Sequence, residues 1–359
     1  MVTTAGSLQT RASRRAAVLY HTGLLGPIRV NALRDSRDLL ILMYHSVGHS
    51  DLQNPLLSVS ERHFERQVRY LSRHYRVLPL QYAVDLLRQG APVPPNAVVI
   101  TFDDGYRDNY EHAFPILKRY GCAATIFVST EPLETGRWLW QTRLCFWLVA
   151  TTETALPFDR EGEPRRVLDL GTGRSRRFAY GIINTYLRGL PSVAERESAL
   201  AGIARSLRFN PDVLPSSFSP MATWDHLREM SDGGIAIGSH TISHPVLSRI
   251  ARPEAQRELV VSKAIIEQRL QRPVDFFAYP FGLAEHFDAD TEELVRAAGY
   301  RAACSAIEGR NPAGSNLFAL RRVYVPDEPP SLFAYRLLRA ARSISAESPG
   351  WPRASHSHR

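Results

Sequence analysis

Two aspartates, Asp103 and Asp104, stand side by side where the apolar run AVVITF ends, and two histidines, His240 and His244, stand four residues apart after the run IAIGS. Adjacent ionised carboxylates repel each other, and the edge of a buried strand makes both charges costlier unless a cation or a proton-transfer task accompanies them. If the chain turns helical after Gly238, the two imidazoles share one face at the i, i+4 spacing that grips a single ion. Two imidazoles and one carboxylate, with positions left open for water, suit a catalytic zinc or a related divalent metal. The metal needs a carboxylate and the Asp pair needs a cation. One Asp can therefore ligate while its neighbour stays free to act as a base. Each pattern alone is weak, because Asp-Gly is ordinary turn chemistry and the chain holds 12 His.

These residues need strands to carry them. Short β-rich runs cover 39–44, 97–102, 124–129, 235–239, 276–280, 302–306 and 322–326, and segments with apolar residues at helical spacing lie between them. Ser60 and Asp290 read as N-caps, and Gly121, Gly233 and Gly299 sit where helices should stop. The alternation predicts an α/β fold of parallel strands joined by right-handed crossovers, hence a barrel or a doubly wound sheet. His45, Asp103, Asp104 and His240 fall at C-terminal strand ends, where ligands gather in both architectures. The stretch from about 131 to 222 breaks the rhythm and reads as a mixed insertion in one crossover, with the aromatic cluster RWLWQTRLCFW as its own small core. Residues 1–38 read as an amphipathic helical segment, 39–341 as one decorated domain and 342–359 as a disordered tail.

The formal charge is +8, from 44 Lys+Arg against 36 Asp+Glu, with Lys only at Lys118 and Lys263. The Arg excess is dispersed, without the aromatic-interleaved basic stripe that tracks nucleic acid, so no nucleic-acid partner is expected. Cys122, Cys145 and Cys304 are odd in number and far apart, which gives no disulfide framework and no CxxC knuckle. No apolar run reaches membrane-spanning length. The Arg-flanked apolar start imitates a signal peptide, but His21, Thr22, Gly23 and Pro27 interrupt it. A cytoplasmic or membrane-peripheral location is expected, with peripheral contact made through the N-terminal segment. The oligomeric state is not legible.

Taken together, TFDDG, SHTISH and FAYPFG, with MYHSV before them and TWDHLREM leading into the second, resemble the polysaccharide deacetylases of the NodB-homology type, carbohydrate esterase family four. The resemblance runs from Leu39 to Val325, and its closest branch is that of the exopolysaccharide and poly-N-acetylglucosamine deacetylases. It implies a distorted (β/α) barrel and metal-dependent hydrolysis of N-acetyl groups on an aminosugar glycan. Asp104, His240 and His244 would be the ligands of one divalent metal, zinc by preference, with cobalt, nickel or manganese as alternatives. Asp103 would be the general base, and the backbone N–H of Phe281 would face the developing oxyanion. The family's Arg at the start of the third motif is replaced by Ala278, and Arg322, or else Arg321, would orient Asp103 instead. The usual Leu-x-x-His is missing after residue 300, and His45 would be the general acid. Tyr106, Tyr279, Pro280, Phe281 and Trp224 would line a sugar groove, with packing roles as the alternative.

Overall fold

The computed structural model describes residues 37–48, 57–159, 166–215 and 219–342. The segment expected over 1–38 and the tail from 342 lie, apart from their inner ends, outside these residues. Seven parallel strands form a closed ring in chain order: β1 (Leu40–Tyr44), β2 (Ala97–Phe102), β3 (Thr125–Val128), β4 (Ala236–Ser239), β5 (Phe276–Ala278), β6 (Ala302–Glu308) and β7 (Leu320–Tyr324). Each pairs with the next, and the ring closes where Leu42 of β1 meets Val323 of β7. Of the two architectures that the sequence left open, the chain adopts the barrel. The ring is irregular. A short strand at Arg76–Val77 takes the start of β2, so β3 pairs only with its end, at Thr101 and Phe102.

Period-two alternation sorts the strand side chains. Ile41, Val99, Phe127, Phe276, Ala278, Cys304 and Leu320 share one apolar cluster inside the ring. Leu42, Ile100, Ile126, Phe277, Ala303 and Val323 belong to the larger cluster formed with the helices outside. The helices are α1 (Glu61–His74), α2 (Leu80–Arg88), α3 (Phe114–Arg119), α4 (Trp140–Ala150), α5 (Gly173–Arg188), α6 (Val193–Ser206), α7 (Trp224–Asp232), α8 (Arg252–Leu270), α9 (Ala289–Ala297) and α10 (Pro330–Arg342), with a further short helix at Thr130–Thr135 just after β3. Leu80, Ala83, Val84 and Leu87 of α2 pack on Leu39, Val93 and Ala97 near the strand starts, which closes the N-terminal end of the barrel. The opposite end is left for polar residues.

Helix boundaries follow the glycines, since Gly233 caps α7, and Gly121 and Gly299 follow α3 and α9 with φ 61° and 81°. Ser60 is the N-cap of α1 as expected, although its N–H and hydroxyl both donate to Asp327 and its side chain makes no capping hydrogen bond. The expectation at Asp290 is corrected. The cap of α9 is Asp288, in a reciprocal capping box with Thr291, which places Asp290 inside the first turn. Between β3 and β4 the chain adds α4, an antiparallel hairpin (Ala155–Phe158 with Arg166–Asp169), α5 and α6. Trp140, Leu144, Trp147, Leu156, Ile183 and Leu200 form a separate apolar cluster there. All three cysteines are free thiols. No described helix is long and apolar enough to cross a membrane.

Candidate metal centre

Beyond β2 the chain turns sharply, with Asp104 at φ 76° and Gly105 at φ 74°. Holding a non-glycine residue in this left-handed region costs roughly 1–2 kcal/mol. The cost recurs at Thr241 (φ 72°), His244 (φ 60°) and Phe281 (φ 61°), all beyond C-terminal strand ends. The segment after β4 is therefore a loop, so the helical condition attached to the i, i+4 spacing is not met. Two left-handed residues, rather than helical periodicity, bring the imidazoles of His240 and His244 together, with ring centroids 4.8 Å apart.

Asp104 Oδ1 lies 3.2 Å from His244 Nε2 and 3.5 Å from His240 Nε2. All three side chains are buried, and Asp104 Oδ1 has no well-formed hydrogen bond. Burial pushes the His244 imidazole down to about 4, so it is neutral near pH 7 and has a lone pair to offer. Burial raises the Asp104 carboxyl, but His240 and His244 outweigh it and hold the group well below the usual carboxylate range. One carboxylate oxygen and two imidazole nitrogens, mutually within 4.8 Å, are a donor set that fits a divalent cation.

The loop is held from several sides. Glu258 of α8, 2 % exposed, accepts from the N–H groups of Ile242 (2.7 Å) and Ser243 (3.0 Å) and from the Ser243 hydroxyl (2.7 Å). His240 N–H donates to Val128 O, and Thr130 and Glu131 donate back to the carbonyls of Thr241 and Ile242. From the insertion, Trp140 Nε1 (3.1 Å) and Arg196 (3.4 Å) donate to the His244 carbonyl. Sequence reading missed Glu258, although a carboxylate on the apolar face that Ala255, Leu259 and Ser262 define was a visible signal.

Asp103 points into the barrel, as Thr101 does, and meets Arg322. The guanidinium makes a two-pronged pair with the carboxylate, 2.7 Å on each oxygen, and also donates to Ser305 O and Thr101 Oγ1. Arg322 is 1 % exposed while Arg321 is exposed, because β7 alternates and Leu320 and Arg322 face inward. Burial raises the Asp103 carboxyl, yet Arg322 and then His240 bring it below its ordinary value. His45, just past β1, sits in the field of this group. Burial lowers its imidazole, Asp104 and Asp103 oppose that, and its Nδ1 is buried without a partner.

The sugar-groove residues separate. Tyr279 continues the outward parity of Phe277, stacks on Phe287 at 4.4 Å and donates to Phe318 O, so it is a core residue rather than a groove residue. Pro280 is buried as well, with its carbonyl turned onto Gly282 N–H. Tyr106 is 4 % exposed among Trp138, Leu139 and Met221. Trp224 belongs to the main core and donates to Glu134. Only Phe281 stays partly exposed, its ring 4.8 Å from that of His244, with the Arg188 guanidinium 5.0 Å from its centroid. Gly282 follows at φ 60°, where a Cβ would meet Ala306 N at 2.7 Å.

The family model described as polysaccharide deacetylase matches residues 90–155 and 193–303, which carry Asp103, Asp104, His240, His244 and Phe281. The chain belongs to the polysaccharide deacetylase family. Membership makes it a deacetylase enzyme. The match leaves out 156–192, which hold the whole of α5 and all of the hairpin but Ala155. Over 288 residues the deacetylase is 24% identical to YxkH of Bacillus subtilis (strain 168), which carries a polysaccharide deacetylase name, covering 80% of this chain and 71% of that one. Over 104 residues it is 34% identical to the poly-beta-1,6-N-acetyl-D-glucosamine N-deacetylase of Staphylococcus aureus (strain MSSA476), covering 25% of this chain and 36% of that one. Its fold is that of the Streptococcus pyogenes deacetylase PplD solved with acetate, at a TM-score of 0.57 and 19% identity, over 85% of this chain and 99% of that one.

Proposed function

We propose that this deacetylase hydrolyses N-acetyl groups on an aminosugar-containing polysaccharide or glycan precursor, using one divalent cation held by Asp104, His240 and His244. The carrying observation is the buried convergence of these three side chains beside a second, separately paired carboxylate. Zinc suits two imidazoles and a carboxylate best, and cobalt, nickel or manganese suit the same donors. When bound, such a cation supplies Lewis acidity to an acetyl carbonyl and to water. Asp103 takes the proton from the attacking water, and Arg322 fixes the direction of its oxygens. The Phe281 N–H, on its left-handed turn, serves the oxyanion. His45 delivers a proton to the departing amine nitrogen. Its lowered pKa makes the imidazolium a stronger acid and also a scarcer species near pH 7. The short resemblance to the S. aureus enzyme supports a poly-N-acetylglucosamine-like substrate.

Acetate release from N-acetylglucosamine oligomers, with and without a chelator, tests this reading. Chelation is expected to abolish release and added zinc to restore it. Asp103→Asn keeps metal and loses nearly all turnover, whereas His240→Ala loses both. Full activity in Asp103→Asn removes the assigned base, and chelator-resistant activity removes the metal. Parallel assays on acetylated xylan decide between amide and O-acyl ester substrates.

A further inference from the structure

The two imidazoles of the centre are held differently. His240 Nδ1 lies 2.7 Å from the Ala278 carbonyl, which can only accept, so Nδ1 carries the proton and Nε2 keeps its lone pair toward Asp104. His244 Nδ1 instead faces the side-chain amide of Gln141, at the start of α4 in the insertion, 2.5 Å from the atom assigned as Nε2. With an NH2 group there, His244 Nδ1 must accept and its proton must sit on Nε2, the atom aimed at Asp104 and the cation position. Gln141 Oε1 meanwhile is buried without a hydrogen-bond partner. An amide turned by 180° has the same shape, and its oxygen and nitrogen are told apart only through their partners. In the turned form Oε1 accepts from His244 Nδ1–H, and Nε2 is left bare, matching His240.

We propose that Gln141 is a positioning residue of the metal centre: its amide oxygen accepts the Nδ1 proton of His244 and so presents the Nε2 lone pair to the cation. This inference rests on the Asp104, His240 and His244 metal reading. It gives the insertion a task. One turn of α4 holds His244 by its ring through Gln141 and by its carbonyl through Trp140, while Thr142 faces the Tyr106 hydroxyl at 3.5 Å. Histidine ligands generally donate their second ring N–H to a fixed acceptor, and loss of that acceptor lowers metal affinity about 10- to 100-fold.

The test is calorimetric titration of zinc into the metal-free full chain as wild type, Gln141→Met and Gln141→Glu. It is paired with thermal melting and with ring N–H spectra of the zinc-loaded, ¹⁵N-histidine-labelled protein. Gln141→Met is expected to bind zinc about 10- to 100-fold more weakly and to lose the protected His244 Nδ1–H signal to solvent exchange. Gln141→Glu, which only accepts, is expected to retain affinity and signal. Equal affinity in wild type and Gln141→Met, or a Gln141→Glu variant as weak as Gln141→Met, overturns the proposal. A wild-type chain that binds no zinc overturns the underlying metal reading as well, so the two failures are distinguishable. A merely structural Gln141 would move the melting temperature and leave affinity and signal unchanged.

Discussion

Asp103 and Arg322 form a fully buried ion pair, and such pairs have opposing energies. Each charge loses hydration on burial, and the two-pronged geometry recovers it only while both partners stay. Arg322→Met is therefore expected to destabilise the chain by about 3–5 kcal/mol, since it strands a buried carboxylate. The double variant Asp103→Leu/Arg322→Met, which removes both charges, should recover much of that loss. Chemical denaturation of the two variants checks this, and a double variant less stable than Arg322→Met refutes it. His45 makes a separate prediction, because protonation matters in proportion to how poor the leaving group is. His45→Ala should slow N-deacetylation far more than hydrolysis of an acetyl ester with a good leaving group. Equal loss of kcat/KM on both substrates would remove the acid role.

Between β4 and α8, the loop that carries both histidines has little regular structure of its own, and Thr241 and His244 hold unfavourable backbone angles. Glu258 offsets that cost with three hydrogen bonds, two of them to consecutive loop N–H groups. A cation at the proposed centre would feel its carboxylate only through the loop. Glu258→Ala should lower zinc affinity by about tenfold or more and speed amide exchange at Ile242 and Ser243, with Glu258→Gln intermediate because it keeps an acceptor. Unchanged affinity in Glu258→Ala would leave the carboxylate a purely structural cap.

Across the whole molecule, the proposed ligands leave the barrel at two places, after β2 and after β4, and the insertion braces His244 from a third. A cation at the centre would thus join segments that separate on unfolding. A ligand that binds only the folded state at 100 times its Kd adds about 2.7 kcal/mol. Zinc at that excess should raise the Tm of the metal-free chain by about 5 °C, and His240→Ala should abolish the rise. A shift of the same size in His240→Ala would place the stabilising zinc elsewhere.

The chemistry-bearing residue types, their order along the chain and all seven barrel strands were legible in the sequence. Apolar runs bounded by turn residues are local signals, and a carboxylate pair leaving such a run is anomalous without neighbours being known. Strand parity, once applied to β7, also selects Arg322 over Arg321, and the same parity at β5 would have placed Tyr279 in the core. The helix on which the His240–His244 spacing was made conditional is absent, because spacing cannot report a left-handed φ, which here is stabilised by Glu258 and the strand ends around it. Gln141 gave no sequence signal, and Glu258 showed only as a carboxylate on a buried helix face without its partners, for a related reason. Their contacts with the histidine loop span 103 and as few as 15 residues of chain, and one-dimensional periodicity holds no term for an encounter between separate segments. Folding brings those segments together, and it does so by closing a ring whose every strand points its C-terminal end at the same place.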